Sequence, residues 1–134
     1  MFNYKLLKIM GAKKILIVDD DPIIQKSLGS KLEKEGFVVL SAKNGQKGLE
    51  EARKNHPDLI LLDVVMPSVD GIAMLEKLRQ DEWGKNAEVI LLTNLRENEK
   101  VAKAMELGTF DFLVKADWSL LSIVERIKEK LNKK

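Results

Sequence analysis

A doubly wound α/β domain is predicted by three features of the chain. Short β-rich apolar runs alternate with longer segments of helical period, the pattern of a parallel sheet covered by helices. Three of the runs are almost continuously apolar, as strands buried on both faces must be. Two of them, Ile15-Leu16-Ile17-Val18 and Leu59-Ile60-Leu61-Leu62, end directly in acidic residues, which places carboxylates at the same end of two strands.

The strands are read at Lys14–Val18, Phe37–Ser41, Leu59–Leu62, Glu88–Leu92 and Asp111–Val114. Phe37–Ser41 is flanked by polar residues and suits a sheet edge. Five helices lie between and after them. Pro22 fits the first turn of the first helix, Ile24, Leu28 and Leu32 follow at four-residue spacing, and Gly36 stands at the C′ position. Asn44 caps the second helix, Leu49 and Ala52 face inward, and Pro57 stops it. The third spans Gly71–Asp81 with Ile72, Leu75 and Leu78 as its stripe, and the fourth spans Glu97–Leu107 and closes at Gly108. Ser119 caps the fifth, whose stripe is Leu120, Ile123, Val124, Ile127 and Leu131.

With 134 residues the chain fits one domain, read as residues 13–132, preceded by an extension of uncertain order over 1–12 and followed by a basic tail at 133–134. The apolar start of the extension is too short and too broken by lysines for a cleaved targeting segment. There is no cysteine, so disulfide and thiolate chemistry are excluded, and the single histidine cannot supply a multi-histidine metal site. The longest apolar runs fall well short of a membrane span. A reducing cytoplasm is the simplest home. The net charge of +2 hides two basic ends around a body of about −6. Those ends admit a nucleic-acid or membrane reading, but solvated lysines near a helix C-terminus account for them more simply.

Like charges a few ångströms apart resist ionising together, so a strand-end cluster of Asp19, Asp20, Asp21 and Asp63 points to a bound cation, Mg²⁺ by the hardness of its oxygen ligands, and to phosphoryl chemistry. In a doubly wound sheet, ligands bind beyond the carboxyl ends of the strands. Four strand ends supply polar groups there: Asp19 with Asp20, Asp63, Thr93 and Lys115. Asp21, ahead of Pro22, suits a capping role. His56, just before Pro57, suits neither a phosphodonor nor a ligand.

The ordered set runs Ile15-Leu16-Ile17-Val18-Asp19-Asp20-Asp21-Pro22, Leu61-Leu62-Asp63-Val64-Val65-Met66-Pro67-Ser68-Val69-Asp70-Gly71, Leu91-Leu92-Thr93 and Asp111-Phe112-Leu113-Val114-Lys115. It resembles the receiver domain of bacterial response regulators over nearly the whole chain. The resemblance implies a flavodoxin-like fold, five parallel strands in the order 2-1-3-4-5 with five helices on two faces. It implies Asp63 as phosphoacceptor, and Mg²⁺ held by Asp20, Asp63 and the Val65 carbonyl, with Asp19 reached through water. Lys115 and Thr93 would contact the phosphoryl group, and Thr93 with Phe112 would form a switch acting on the fourth helix, fifth strand and fifth helix. The implied partner is a histidine kinase or histidine phosphotransfer protein, for a monomer or a weak phosphorylation-dependent dimer with no direct nucleic-acid or membrane contact.

The pattern departs from the family at two places. Ala116 follows Lys115 where proline in a cis peptide is common, and a cis bond without proline costs about 2.5–4 kcal/mol. Asn94 follows Thr93 where a smaller residue is usual. Trp118, ahead of the last helix, suits packing, with a partner contact as the other reading. Only Asn132-Lys133-Lys134 follows the fifth stripe, which leads to the expectation of a stand-alone receiver acting by docking or phosphorelay. Two other classes stand beside it. A small-molecule aspartyl-phosphate phosphatase or phosphotransferase would need a general acid two residues after Asp63, where Val65 stands; a phosphorylation-independent interaction module would not need the acid–Thr–Lys set.

Overall fold

The computed structural model describes residues 11–64, 70–94, 98–109, 111–114 and 119–132. Five parallel strands form one sheet: β1 (Lys14–Val18), β2 (Val38–Ala42), β3 (Leu59–Asp63), β4 (Val89–Thr93) and β5 (Asp111–Val114), in the order β2-β1-β3-β4-β5. The expected fold class and strand order are both present, with β2 at an edge. Five helices alternate with them: α1 (Pro22–Lys34), α2 (Gly45–Asn55), α3 (Asp70–Arg79), α4 (Asn98–Glu106) and α5 (Leu120–Asn132), with a short 3₁₀ turn at Gly84–Asn86.

Period-two alternation in the strands builds two cores. Ile15, Ile17, Leu59, Leu61, Ile90 and Leu92 pack against α1 and α5, through Leu28, Leu32, Ile123 and Ile127. Leu16, Val18, Ile60, Leu62, Val89 and Leu91 face the other way, onto α2, α3 and α4 through Leu49, Leu75, Leu78 and Ala104. The central strands are thus buried on both faces, which is why they read as unbroken apolar runs. Leu120 departs from its predicted stripe: it opens α5 and is exposed, as is Leu121.

Caps form where the residue types demand them. Asp21 Oδ1 accepts from the Ile23 N–H at 2.8 Å, Asn44 Oδ1 from Lys47 N–H at 2.8 Å, and Ser119 Oγ from Ser122 N–H at 3.0 Å. Gly36 takes φ +96° just past α1, a conformation that glycine adopts without strain. His56 ends α2 in the left-handed region, φ 47°, and its ring stacks on Trp83 at 4.5 Å. Among the described residues, no helix is long and apolar enough to cross a membrane.

Pairing moved the boundaries of three strands by one residue. β2 and β4 begin and end one position later than the apolar pattern suggests, and β3 takes in Asp63, whose backbone is in register with Leu92. Asp63 is therefore held by the sheet rather than by a loop.

Candidate functional site at the carboxyl edge of the sheet

The acid-bearing positions converge because their strands are neighbours. Val18 ends β1 in register with Leu62 of β3, so the next residues, Asp19 and Asp63, lie side by side at the carboxyl edge. Carboxylate oxygens of Asp19, Asp20 and Asp63 lie within 4.8 Å of one another. Asp19 and Asp63 are buried, whereas Asp20 faces solvent. Thr93 ends β4 beside them, buried, with its hydroxyl donating to the Asn94 carbonyl at 3.2 Å. Phe112 is half-buried on β5 in register with Leu91 and packs against the core shared by α2, α3 and α4. Lys115, Val65 and Trp118, and with them the Lys115–Ala116 peptide, lie outside the described residues.

Local backbone geometry supports this arrangement. The Asp19 N–H donates to the Ala42 carbonyl at 3.0 Å, which carries the β1–β2 pairing one residue past the strand. Asp19 Oδ1 accepts from the Asp21 N–H at 2.9 Å, fixing the side chain within its own turn. Gly71, in the first turn of α3, lets that helix lie against the end of β3: a Cβ there would stand 3.0 Å from the Asp63 carbonyl oxygen.

Among the described residues, electrostatics works against an ionised Asp19. At these separations a pair of carboxylates repels by about 3 kcal/mol at an effective dielectric near 20. Burial pushes the Asp19 carboxyl up to about 7, and the neighbouring charges of Asp63 and Asp20 push the same way, against the Asp21 N–H that favours ionisation. With the acids ionised, Asp19 Oδ2 is sealed from solvent with no donor among the described residues to accept from. An all-oxygen donor set with an orphaned buried carboxylate oxygen suits a hard divalent cation.

Three residues on which the sequence pattern was silent also bear on the molecule's design. Gln25, one turn into α1, donates from its carboxamide to the carbonyls of Ile17, Asp19 and Ala42. Lys100 of α4 donates to the Val64 carbonyl at 2.8 Å, next to Asp63. Arg79, at the far end of α3, binds carbonyls at the opposite edge of the sheet. A polar residue on the inner side of a helix is the only signal the sequence offered for any of them.

The family model for the response regulator receiver domain matches residues 15–128. The chain belongs to that family. It is a receiver domain of two-component signalling, and receivers bind Mg²⁺ at an acidic cluster of the kind formed by Asp19, Asp20 and Asp63. Chemotaxis protein CheY of Treponema pallidum is 38% identical over 105 residues, covering 76% of this chain and 72% of that protein. A protein-glutamate methylesterase/protein-glutamine glutaminase of Oleidesulfovibrio alaskensis is 35% identical over 123 residues, 90% of this chain but 33% of the relative. A second methylesterase, of Syntrophomonas wolfei, is spanned to 36%, so this receiver has about a third of the length of both. Among solved structures, the CheY-like receiver domain protein of Methanospirillum hungatei superposes with a TM-score of 0.81 at 30% identity, covering 91% of this chain and 95% of that one. The Francisella response regulator 1452 receiver domain gives 0.77 at 30% identity, covering 90% and 98%.

Proposed function

We propose that this receiver accepts a phosphoryl group on Asp63 from the phosphohistidine of a histidine kinase or phosphotransfer protein, with Mg²⁺ present, and so changes the surface formed by α4, β5 and α5. One observation carries the reading: three carboxylates converge at the carboxyl edge, and a buried oxygen of Asp19 has no donor among the described residues. Asp20, Asp63 and the carbonyl of Val65 would hold the ion directly, and Asp19 through water. When bound, Mg²⁺ supplies positive charge that offsets the negative charge of the transferring group.

The residues of the chain do the rest. An Asp63 carboxylate oxygen forms a bond to phosphorus as the donor's P–N bond breaks, and the released electron pair returns to the imidazole, which takes a proton from solvent. Burial of Asp63 within β3 keeps that oxygen in a fixed direction, as in-line displacement requires. Lys115 balances charge on the new phosphoryl group. The Thr93 hydroxyl exchanges its bond to the Asn94 carbonyl for one to a phosphoryl oxygen, and Phe112 turns into the space vacated, a two-state element biased by a local charge change. The altered surface serves docking or phosphorelay in a cytoplasmic pathway, with the protein a monomer or a weak dimer formed on phosphorylation. Val65 stands where a small-molecule phosphatase would need its proton donor, which favours signalling over that alternative.

Incubation with Mg²⁺ and acetyl phosphate, followed by intact-mass analysis, tests the proposal. Wild-type protein is expected to gain one phosphoryl group and Asp63→Asn none. A wild type that gains nothing, or an undiminished adduct in Asp63→Asn, would overturn it.

A further inference from the structure

We infer that Gln25 is a positioning residue for the divalent-cation site, holding the Asp19–Asp21 turn in its binding shape before any ion arrives. The inference rests on the reading of the acids as a Mg²⁺ site. The β1 ladder ends at Val18, yet two of the mutually repelling carboxylates sit beyond it, on the first two residues of the turn into α1. Strand pairing reaches only the Asp19 N–H, through the Ala42 carbonyl, so the Asp19 carbonyl and the turn beyond it need a further support.

Gln25 is placed to do so. Its Nε2 donates to the carbonyl of Asp19 at 3.0 Å, to that of Ile17 at 3.1 Å and to that of Ala42 at 2.9 Å. One amide group thus joins the end of β1, the end of β2 and the residue bearing the buried carboxylate. The Ala42 carbonyl also accepts from the Asp19 N–H, so Gln25 and Asp19 share one acceptor. Gln25 is itself anchored, because its own N–H closes the first α1 hydrogen bond onto Asp21 at 3.0 Å.

The orientation of the amide has a cost that shows its purpose. Gln25 Oε1 is buried without a hydrogen-bond partner among the described residues. The two Nε2 hydrogens are shared among the three carbonyls, and rotating the amide would set the oxygen against all three and lose these bonds, so donation to the turn decides the side chain's direction. Preorganisation has a functional consequence: ligands already held at the right separation bind an ion more tightly than ligands that must first be gathered.

Gln25→Met, nearly isosteric and without donors, tests the role. The expected result is Mg²⁺ binding by calorimetry about tenfold weaker than wild type, as for other groups that orient metal ligands. Amide exchange in the metal-free protein should speed up at Asp19 and Asp21. The loss should largely vanish in the Asp19→Asn background, because a residue that acts by placing Asp19 has nothing left to place. Wild-type affinity in Gln25→Met, or an equal tenfold loss on top of Asp19→Asn, overturns the inference and assigns Gln25 to general stability. Failure of the wild type itself to bind Mg²⁺ overturns the site reading and this inference with it. Acceleration at Asp19 and Asp21 in the metal-free variant separates the two cases, since it depends on the turn and not on the ion.

Discussion

The two edges of this sheet treat buried charge in opposite ways. At the amino edge, the half-buried Arg79 guanidinium donates to the carbonyls of Leu107, Gly84 and Ala87 and to the buried Thr109 hydroxyl, all at 2.8–2.9 Å. Nearby, Asp58 accepts from the Lys14 N–H, and Lys130 pairs with Asp111. At the carboxyl edge, three acids crowd together and a buried oxygen of Asp19 has no donor among the described residues. Burial lowers the basicity of Arg79, with Glu88 opposing, yet four hydrogen bonds hold the charged form. Asp19 has one such bond, from the Asp21 N–H, against two carboxylate neighbours. The amino edge is therefore finished as folded, while at the carboxyl edge the Asp19 carboxylate is left short of donors among the described residues. A local conflict of this kind within an otherwise consistent structure marks where function is placed.

Removing the charge at each edge should have opposite effects on stability. Arg79→Met removes the donor shared by the Leu107 and Ala87 carbonyls and a buried hydroxyl, while the Gly84 carbonyl keeps the Ala87 N–H, and should destabilise the protein by about 3 kcal/mol in urea unfolding, with or without Mg²⁺. Asp19→Asn removes a repelled carboxylate instead. The metal-free variant should be more stable than wild type by about 1–2 kcal/mol at neutral pH, and should lose most of the stabilisation that Mg²⁺ gives the wild type. If both substitutions destabilise the metal-free protein alike, the two edges do not differ as described.

The same contrast explains what was legible in the sequence. The strands and helices followed from apolar periodicity, and Asp19, Asp20, Asp63 and Thr93 were found because each ends an apolar run at the same edge. Asp63 was read as lying just past its strand, since a carboxylate breaks an apolar pattern; its backbone pairs in the sheet regardless of its side chain. Gln25 and Arg79 were missed for one reason. Apart from the Thr109 hydroxyl, their partners are backbone carbonyls, brought near from as far as 17 and 28 residues away, and a carbonyl carries no mark in the sequence of the residue it belongs to. Side-chain chemistry that meets side-chain chemistry can be read from residue types, whereas side chains that hold the backbone become visible only once the chain is folded.

A smaller effect separates the edges without any substitution. The Asp19 carboxyl is raised to about 7 from an ordinary value of 3.8, so the folded metal-free protein binds a proton there more tightly than the unfolded chain does. Its contribution to stability is then fully present below about pH 4 and is lost as pH rises through about 7. Metal-free protein should accordingly show a melting temperature that falls by a few degrees between about pH 5 and about pH 8. Mg²⁺ competes with that proton, so the melting-temperature increase it causes should be small at the acid end of the range and grow as Asp19 ionises. The Arg79 edge stays charged throughout, so Arg79→Met should lower both curves without changing their shape. A Mg²⁺ increment independent of pH, or a slope that persists unchanged in Asp19→Asn, would show that the titrating group lies elsewhere.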